Sequence, residues 1–250
     1  MNKIKNGLMS TVLLLSTSIA NAISVDLELS LVIDVSGSVS TTEYNLMMDG
    51  YANAFRDNNI QNSILNGNIG SIAVNAIFFD GITYTTALDS FNLLDSTTSI
   101  DSFANTLDNF IRPGGGMTNI FDGVSKATNL LVTDNGFESN NLVIDVSGDG
   151  ESNSGSAPSL ARDAAEAVGI TINGISIGST TIKDYYLANV ITPNGFVVHA
   201  TNFVDFSDGI KTKLLTEITN PNPAPEPATL LLLGAGLIGM RATTRGHRLT

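Results

Sequence analysis

Cysteine is absent from the chain, which excludes disulfides and cysteine-ligated zinc as supports for the fold. That absence fits a reducing compartment, but many exported bacterial proteins share it, so the ends of the chain must settle the compartment. Basic residues are scarce: between Ile23 and Asn220 there are 7 of them against 23 acidic ones, a balance of −16. A phosphate backbone or an anionic lipid surface is held by a basic stripe, so neither nucleic acid nor such a surface is a partner of this body. Histidine occurs once in it, as His199, and a lone histidine at a strand end is ordinarily packed, so it receives no role. There is no internal repeat of fixed period. What remains is a chain of 250 residues with 42% hydrophobic content, enough for one sizeable domain with tails.

The two ends differ from the body. Residues 1–22 carry Lys3 and Lys5, an apolar stretch from Leu8 to Ile19, and Ala20-Asn21-Ala22. A basic start, a short apolar centre and an Ala-x-Ala end make a secretory signal peptide cut after Ala22. Past residue 220 the chain reads Pro221-Asn222-Pro223-Ala224-Pro225-Glu226-Pro227, then the uncharged segment Ala228 to Met240, then Arg241, Arg245 and Arg248. Each proline blocks helix and disfavours it one residue earlier, so the first part is an extended linker. As a helix the apolar segment would span ~20 Å at 1.5 Å per residue, short of the ~30 Å hydrocarbon core. It is marginal as a permanent transmembrane anchor, and its basic end would be retained on the cytoplasmic side. The expected division is therefore 1–22 leader, 23–220 folded domain and 221–250 tail.

Within the body, apolar runs alternate with helical patterns. Leu27 to Ile33 is a mainly apolar run, interrupted by Glu28 and Ser30, that reads as a strand buried on both faces. Ser40 and Glu43 have the spacing of a capping box, followed by Tyr44, Met47, Tyr51 and Phe55 on one helical face, ending at Asn58-Asn59. Further strands are expected at Ser71 to Phe79, Leu142 to Val146, Ile170 to Ile177 and Phe196 to His199, with Ile82 to Ala87 as a short antiparallel partner of the second. Helices are expected at Ile100 to Ile111, from Ile120 through Leu131, from Leu160 to Val168, over Ile182 to Asn189, and from Phe203 to Ile218. In the last of these Phe203, Phe206, Ile210, Leu214 and Ile218 point inward. Such alternation with short connections predicts an α/β fold, a mostly parallel central sheet with helices on both faces.

Three strand-end loops carry oxygen-bearing side chains. The first strand runs into Asp34-Val35-Ser36-Gly37-Ser38, the Gly-rich stretch Gly114-Gly115-Gly116-Met117 leads to Thr118, and a later strand ends in Ser147-Gly148-Asp149-Gly150. Carboxylates with neutral hydroxyls form a hard oxygen site, suited to Mg²⁺, Mn²⁺ or Ca²⁺. Open α/β sheets place ligand sites at this carboxyl edge. Asp145-x-Ser147-x-Asp149-Gly150 also invites reading as an EF-hand calcium loop. A strand precedes it, however, and Ser156 stands where that loop needs a bidentate Glu. Asp145, inside the strand, is read as a structural carboxylate.

Together these loops resemble the von Willebrand factor A domain with its metal-ion-dependent adhesion site, over residues 26–218; Met117, between the glycines and Thr118, departs from the family pattern. The resemblance implies a Rossmann-like A domain in which Ser36 and Ser38 bind the metal directly and Thr118 binds directly or through water. Asp34 and Asp149 would act mostly through bound waters. It further implies an open metal position that a partner's carboxylate completes, and a last helix that either shifts on binding or stays fixed. Ser147-Gly148-Asp149-Gly150, Ala161-Arg162-Asp163-Ala164, Gly169 to Gly174 and Asp184-Tyr185-Tyr186 resemble an exported bacterial A-domain subfamily of undefined function. In that reading Arg162 and the tyrosines are candidate specificity elements, against the plainer reading of Arg162 as a surface ion pair. The tail, with Pro225-Glu226-Pro227 at its head, resembles the PEP-CTERM sorting signal. That implies an exosortase-type processing enzyme and transient inner-membrane contact in a Gram-negative bacterium.

The expected function is a non-enzymatic, exported module that captures an acidic group of a protein or glycan at the cell surface or in the extracellular matrix. The alternatives are a matrix component with a merely stabilising metal, and a metal-assisted hydrolase using Asp34 or Asp149. Against the hydrolase, no histidine, lysine or second acid accompanies these loops as a proton-transfer pair.

Overall fold

The computed structural model describes residues 22–219; apart from Ala22, the expected leader and tail lie outside them. In chain order the elements are β1 (Ile23–Ser24), β2 (Glu28–Asp34), α1 (Thr41–Phe55), α2 (Asn58–Leu65), β3 (Ile72–Phe79), β4 (Asn92–Leu94), α3 (Thr97–Asp108), α4 (Ile120–Val132), β5 (Phe137–Glu138), β6 (Leu142–Gly148), α5 (Pro158–Ala167), β7 (Thr171–Ile177), α6 (Thr180–Asn189), β8 (Val197–Ala200) and α7 (Phe206–Thr219). Six strands form one sheet in the order β4-β3-β2-β6-β7-β8. β4 is antiparallel to its neighbour and all the other pairings are parallel. All seven residues of β2 and all eight of β3 are buried, as a parallel strand covered on both faces requires. One apolar layer packs the sheet against α1, α2, α3 and α7, the other against α4, α5 and α6.

Local chemistry explains where the elements depart from the sequence expectation. The capping box forms as anticipated: Glu43 N donates to Ser40 Oγ and Ser40 N donates to Glu43 Oε2. The helix it starts does not run on to Asn58-Asn59, however. It stops at Phe55, because Asp57 caps a new helix by accepting from Asn59 N. Ile82 to Ala87 is no strand beyond a single bridge, Phe79 to Thr83. The Asp80 carboxylate takes Ile82 N, and β3 instead pairs with β4. α7 begins at Phe206 rather than Phe203, since Asn202 Oδ1 accepts from Val204 N and Asp205 N and holds a turn there. Among the described residues no helix is long and apolar enough to cross a membrane; the expected transmembrane segment Ala228 to Met240 lies outside them.

The inward face of α7 holds a surprise. Phe206, Ile210 and Leu214 are buried as expected, but so are Lys213 and Glu217. Lys213 Nζ lies 2.7 Å from Asp145 Oδ2 on β6 and 2.5 Å from Glu217 Oε1, with both side chains of the first pair fully buried. Asn173 on β7 donates its Nδ2 to Glu217 Oε1 at 2.8 Å, and its Oδ1 accepts from Phe196 N. Two carboxylates against one ammonium leave an excess negative charge in the core, which low polarity resists. Burial accordingly pushes Glu217 up from 4.5 to about 7; Lys213 opposes that shift and Asp145 adds to it. Burial also raises Asp145, again against Lys213.

A carboxyl raised on folding binds its proton more tightly in the native state, so its contribution to stability is complete below pH 4.5 and lost as pH rises through about 7. Chemical denaturation between those values should show stability falling with pH, by up to about 1.4 kcal/mol per pH unit for one proton. Glu217→Gln should remove one proton's share of that slope, leaving the share of Asp34, which burial raises likewise to about 7; an unchanged slope would mean that Glu217 keeps its ordinary acidity.

Candidate metal centre

β2 ends at Asp34, and the chain turns back over its own carboxylate: Asp34 Oδ1 accepts from Ser36 N at 2.8 Å. Ser36 Oγ lies 3.1 Å from Ser38 Oγ, and Ser38 Oγ donates to Asp149 Oδ1 at 2.7 Å. The structure thus brings four of the five expected ligands into one hydrogen-bonded chain across the ends of β2 and β6. Thr118, buried before the start of α4, is fixed through its backbone. Its N donates to Asn153 Oδ1 at 2.8 Å, and its carbonyl accepts from Asn153 N, Ser154 N, Ser152 Oγ and Ser154 Oγ. The Gly-rich loop meets the first loop directly, with Gly37 N donating to Gly116 O at 2.7 Å. A Cβ on Gly37 would stand 3.0 Å from Gly115 O, so glycine there permits the close approach.

Asp34 is where electrostatics and geometry converge. It is fully buried, and its Oδ2 has no hydrogen-bond partner. Burial pushes its carboxyl up to about 7; the Ser36 hydrogen bonds and Arg112 hold it down, while Asp149 adds to the rise. Asp149 is raised by burial as well, against the hydrogen bond from Ser38. Two nearby carboxylates, one with an orphaned buried oxygen, beside two hydroxyls are a donor set that a hard divalent cation satisfies. No three His, Cys, Asp or Glu side chains gather into a metal-holding group among the described residues. The set is therefore built on hydroxyls, not on the imidazole or thiolate groups that softer metals select.

Two residues that shape the site, Asp80 and Arg112, were not anticipated from sequence. Asp80, at the end of β3, accepts from Gly115 N, Gly116 N and Tyr84 Oη through Oδ2 and from Ile82 N through Oδ1. Burial alone would raise this carboxyl, but those hydrogen bonds outweigh it and hold it below its usual value. Its signal was available as a third carboxylate at a strand end. Arg112 donates to the Val35 and Ser36 carbonyls at 2.9 and 2.6 Å, bracing the first loop from outside. Tyr186 is buried beneath the third loop with an unpartnered hydroxyl. A Cβ on Gly148 would fall 2.6 Å from that hydroxyl and 2.7 Å from Asp34 Oδ2, so the strand end must be glycine. Tyr185 Oη accepts from Ser152 N. Arg162 pairs with Asp163 at 2.7 Å and donates to Ala188 O, the plainer of its two expected roles.

The family model described as a protein of unknown function, DUF1194, matches residues 24–222, and a PEP-CTERM protein-sorting motif matches residues 223–246, which marks an exported, cell-surface-associated protein. No match was found among curated proteins. Proximal thread matrix protein 1 from the mussel byssus, with a zinc-occupied MIDAS motif, superposes with a TM-score of 0.58 at 18% identity, covering 80% of this chain and 48% of that one. The pilus adhesin SpaC of Lactobacillus rhamnosus GG gives 0.59 at 15% identity over 79% of this chain and 31% of its own. A von Willebrand factor type A protein from Catenulispora acidiphila gives 0.54 at 15% identity, over 78% and 43%. The chain thus spans half or less of these structures, and at such identities they establish the fold alone. By its sequence match the chain belongs to the DUF1194 family of proteins of unknown function, and it folds as a von Willebrand factor A-type domain.

Proposed function

We propose that this protein is an exported binding module that takes up a divalent cation at Asp34, Ser36, Ser38, Thr118 and Asp149 and uses it to capture a carboxylate of a protein or glycan partner. The observation that carries this reading is the buried, unpartnered Oδ2 of Asp34 beside the Ser36–Ser38–Asp149 chain. A cation would supply the missing partner for that oxygen and offset the repulsion between the two carboxylates. Mg²⁺ is the first choice, with Mn²⁺ or Ca²⁺ as alternatives, because every donor is a hard oxygen. The zinc-occupied motif of the byssus protein supports a divalent ion in a site of this architecture. Held largely by neutral hydroxyls, the ion keeps enough positive charge to attract an outside carboxylate. Ser38 is exposed where that carboxylate would approach.

In the same reading the tail from residue 221 serves export. Ala228 to Met240 holds the chain briefly at the inner membrane until an exosortase-type enzyme cuts near Pro225-Glu226-Pro227. The body then acts at the cell surface or in the surrounding matrix without catalysing a reaction.

Titration calorimetry of the full chain with Mg²⁺ or Mn²⁺ should give one site, and Asp34→Ala should abolish it while circular dichroism stays native. Equal affinity in the variant would remove Asp34 from the site. Because the metal-free Asp34 carboxyl is raised to about 7, affinity should fall as pH drops through that value, by up to about tenfold per unit.

Asp80→Asn touches no ligand, but it loosens the loop that carries Thr118. It should weaken the metal by roughly 10–100-fold, as loss of a group that orients ligands typically does.

Pull-down from native matrix extracts tests the function itself: capture should require the metal and be lost with EDTA or Asp34→Ala. Turnover of phosphoesters by the purified protein would favour the hydrolase instead. Mass spectrometry of the exported protein should find neither residues 1–22 nor the segment after about Pro227; a retained Arg248 would contradict the processing scheme.

A further inference from the structure

The buried cluster under α7 has no part in the metal site, and its composition is chemically unusual. An amine, a carboxyl group in contact with it and a second carboxyl group beside both are sealed from water. Lys213 Nζ is 2.7 Å from Asp145 Oδ2, with both side chains fully buried. Beyond that amine, neither oxygen of Asp145 has a hydrogen-bond partner. One covalent bond beyond Oδ2 is the carboxyl carbon. Glu217 touches the same amine at 2.5 Å and is itself held in place by Asn173. The Phe196 ring lies 5.8 Å from Nζ. Tyr51 on α1, fully buried, faces both carboxyl groups, and Tyr186 on α6 feels Asp145.

We propose that Lys213 and Asp145 condense within the folded protein into an isopeptide bond, with Glu217 carrying the protons. The starting state holds one proton on the two carboxyl groups, so the cluster is neutral: ammonium on Lys213, acid on Asp145, carboxylate on Glu217. The raised proton affinities of both carboxyl groups agree with that proton inventory. Glu217 takes a proton from Nζ, and the free amine adds to Cγ of the uncharged Asp145 acid. Glu217 then relays a second proton from nitrogen to the departing hydroxyl, which leaves as water. One C–N bond forms, one C–O bond breaks and one water is released. Glu217 ends protonated, and neither an oxidant nor a cofactor takes part. The product replaces a buried ion cluster, costly in a low-polarity core, with a neutral amide and a neutral acid.

Two observations make Asp145 the acceptor and Glu217 the carrier. Asp145 is engaged by Lys213 alone and its Oδ1 by nothing, whereas Glu217 Oε1 is held by both Asn173 and Lys213 and only Oε2 is free, so Asp145 is the carboxyl group that no second donor fixes. Glu217 is shifted to about 7, where a group passes protons in both directions most readily. Water is excluded, which favours condensation over hydrolysis. Fixing reacting groups in contact can supply an effective molarity on the order of 10⁵ M or more, enough for unactivated groups to react slowly after folding. The bond would join the central strand β6 to the last described helix, directly before the linker that begins at Pro221.

The test is peptide mapping of the full chain, denatured and digested, by tandem mass spectrometry. The expected result is one branched species joining the Asp145 and Lys213 peptides, with the mass of their sum less one water, about 18 Da. Glu217→Gln, nearly identical in shape, should fold by circular dichroism yet yield the two peptides separately. It should also migrate more slowly than the wild type on a denaturing gel. Free Asp145 and Lys213 peptides from the wild type would overturn the proposal and leave a plain ion cluster. A Lys213–Glu217 lactam would overturn Asp145 as acceptor, and an undiminished cross-link in Glu217→Gln would overturn Glu217 as proton carrier. None of these outcomes depends on metal binding, so this inference and the proposed function stand or fall separately.

Discussion

A parallel sheet with helices on both faces leaves the chain few places to put a polar side chain. β2 and β3 are buried along their whole length, and any polar group between the layers must find a partner or cost free energy. The carboxyl edge is the exception, because there the strands stop and the helices have yet to begin. Asp34, Asp80 and Asp149 stand just at that edge, each closing a strand-to-loop junction. Asp80 is fully satisfied by backbone and tyrosine donors, and it organises a loop. Asp34 is left one donor short. The two carboxylates differ in their supply of hydrogen bonds, and that difference separates the residue that shapes the site from the one able to hold an ion.

β6 breaks the rule for covered strands, and does so on one face only. Residues two apart in a strand share a face, so Asp145 and Ser147 form a polar line through the layer that holds α1 and α7, and Asp149 continues it just past the strand end. Asp145 meets Lys213, Ser147 Oγ accepts from Tyr51 Oη at 3.1 Å, and Asp149 meets Ser38 on the loop after β2. The opposite face of the same strand, Ile144 and Val146, is wholly apolar and packs under α4 and α5. One rigid strand therefore links the end of the chain that leads to the sorting motif with the loop proposed to bind metal.

Much of this was legible in the sequence, and the physical reasons separate what was from what was not. The strands of the sheet were readable because short stretches rich in Ile, Val, Leu and Phe, broken only by single polar residues, alternate with helical patterns. Two of the three loops were readable because their hydroxyls and carboxylates follow strands directly; the Gly-rich loop, expected at a strand end, instead joins α3 to α4 and was readable from its glycines. The α1–α2 break was not, since it depends on Asp57 choosing to cap rather than continue. Burial of Lys213 and Glu217 was hidden for a related reason. Charges spaced four apart on a helix ordinarily make an exposed pair, and only tertiary contact with Asp145 and Asn173 turns that pair inward. Asp145 itself was recognised as structural, but its partner lies 68 residues later, beyond the reach of local pattern. The Gly148 requirement was equally invisible, because it comes from Tyr186 and Asp34 closing over the strand end.

The scarcity of basic residues acquires meaning once they are placed. Arg56, Lys126, Arg162, Lys211 and Lys213 all pair with carboxylates, and Arg112 is committed to the carbonyls of the first loop. Six of the seven basic residues of the body are thus engaged in holding structure together, and the acidic excess remains. Such a surface draws divalent cations toward it and repels anions at distances up to the Debye length, about 8 Å at physiological salt. A carboxylate-bearing partner approaching Asp34 and Asp149 meets like charge unless an ion stands between. In the proposed function the cation consequently does two things. It supplies the coordination bond that captures the partner, and it reverses the sign of the field at the one point of the surface where an anion is to be received.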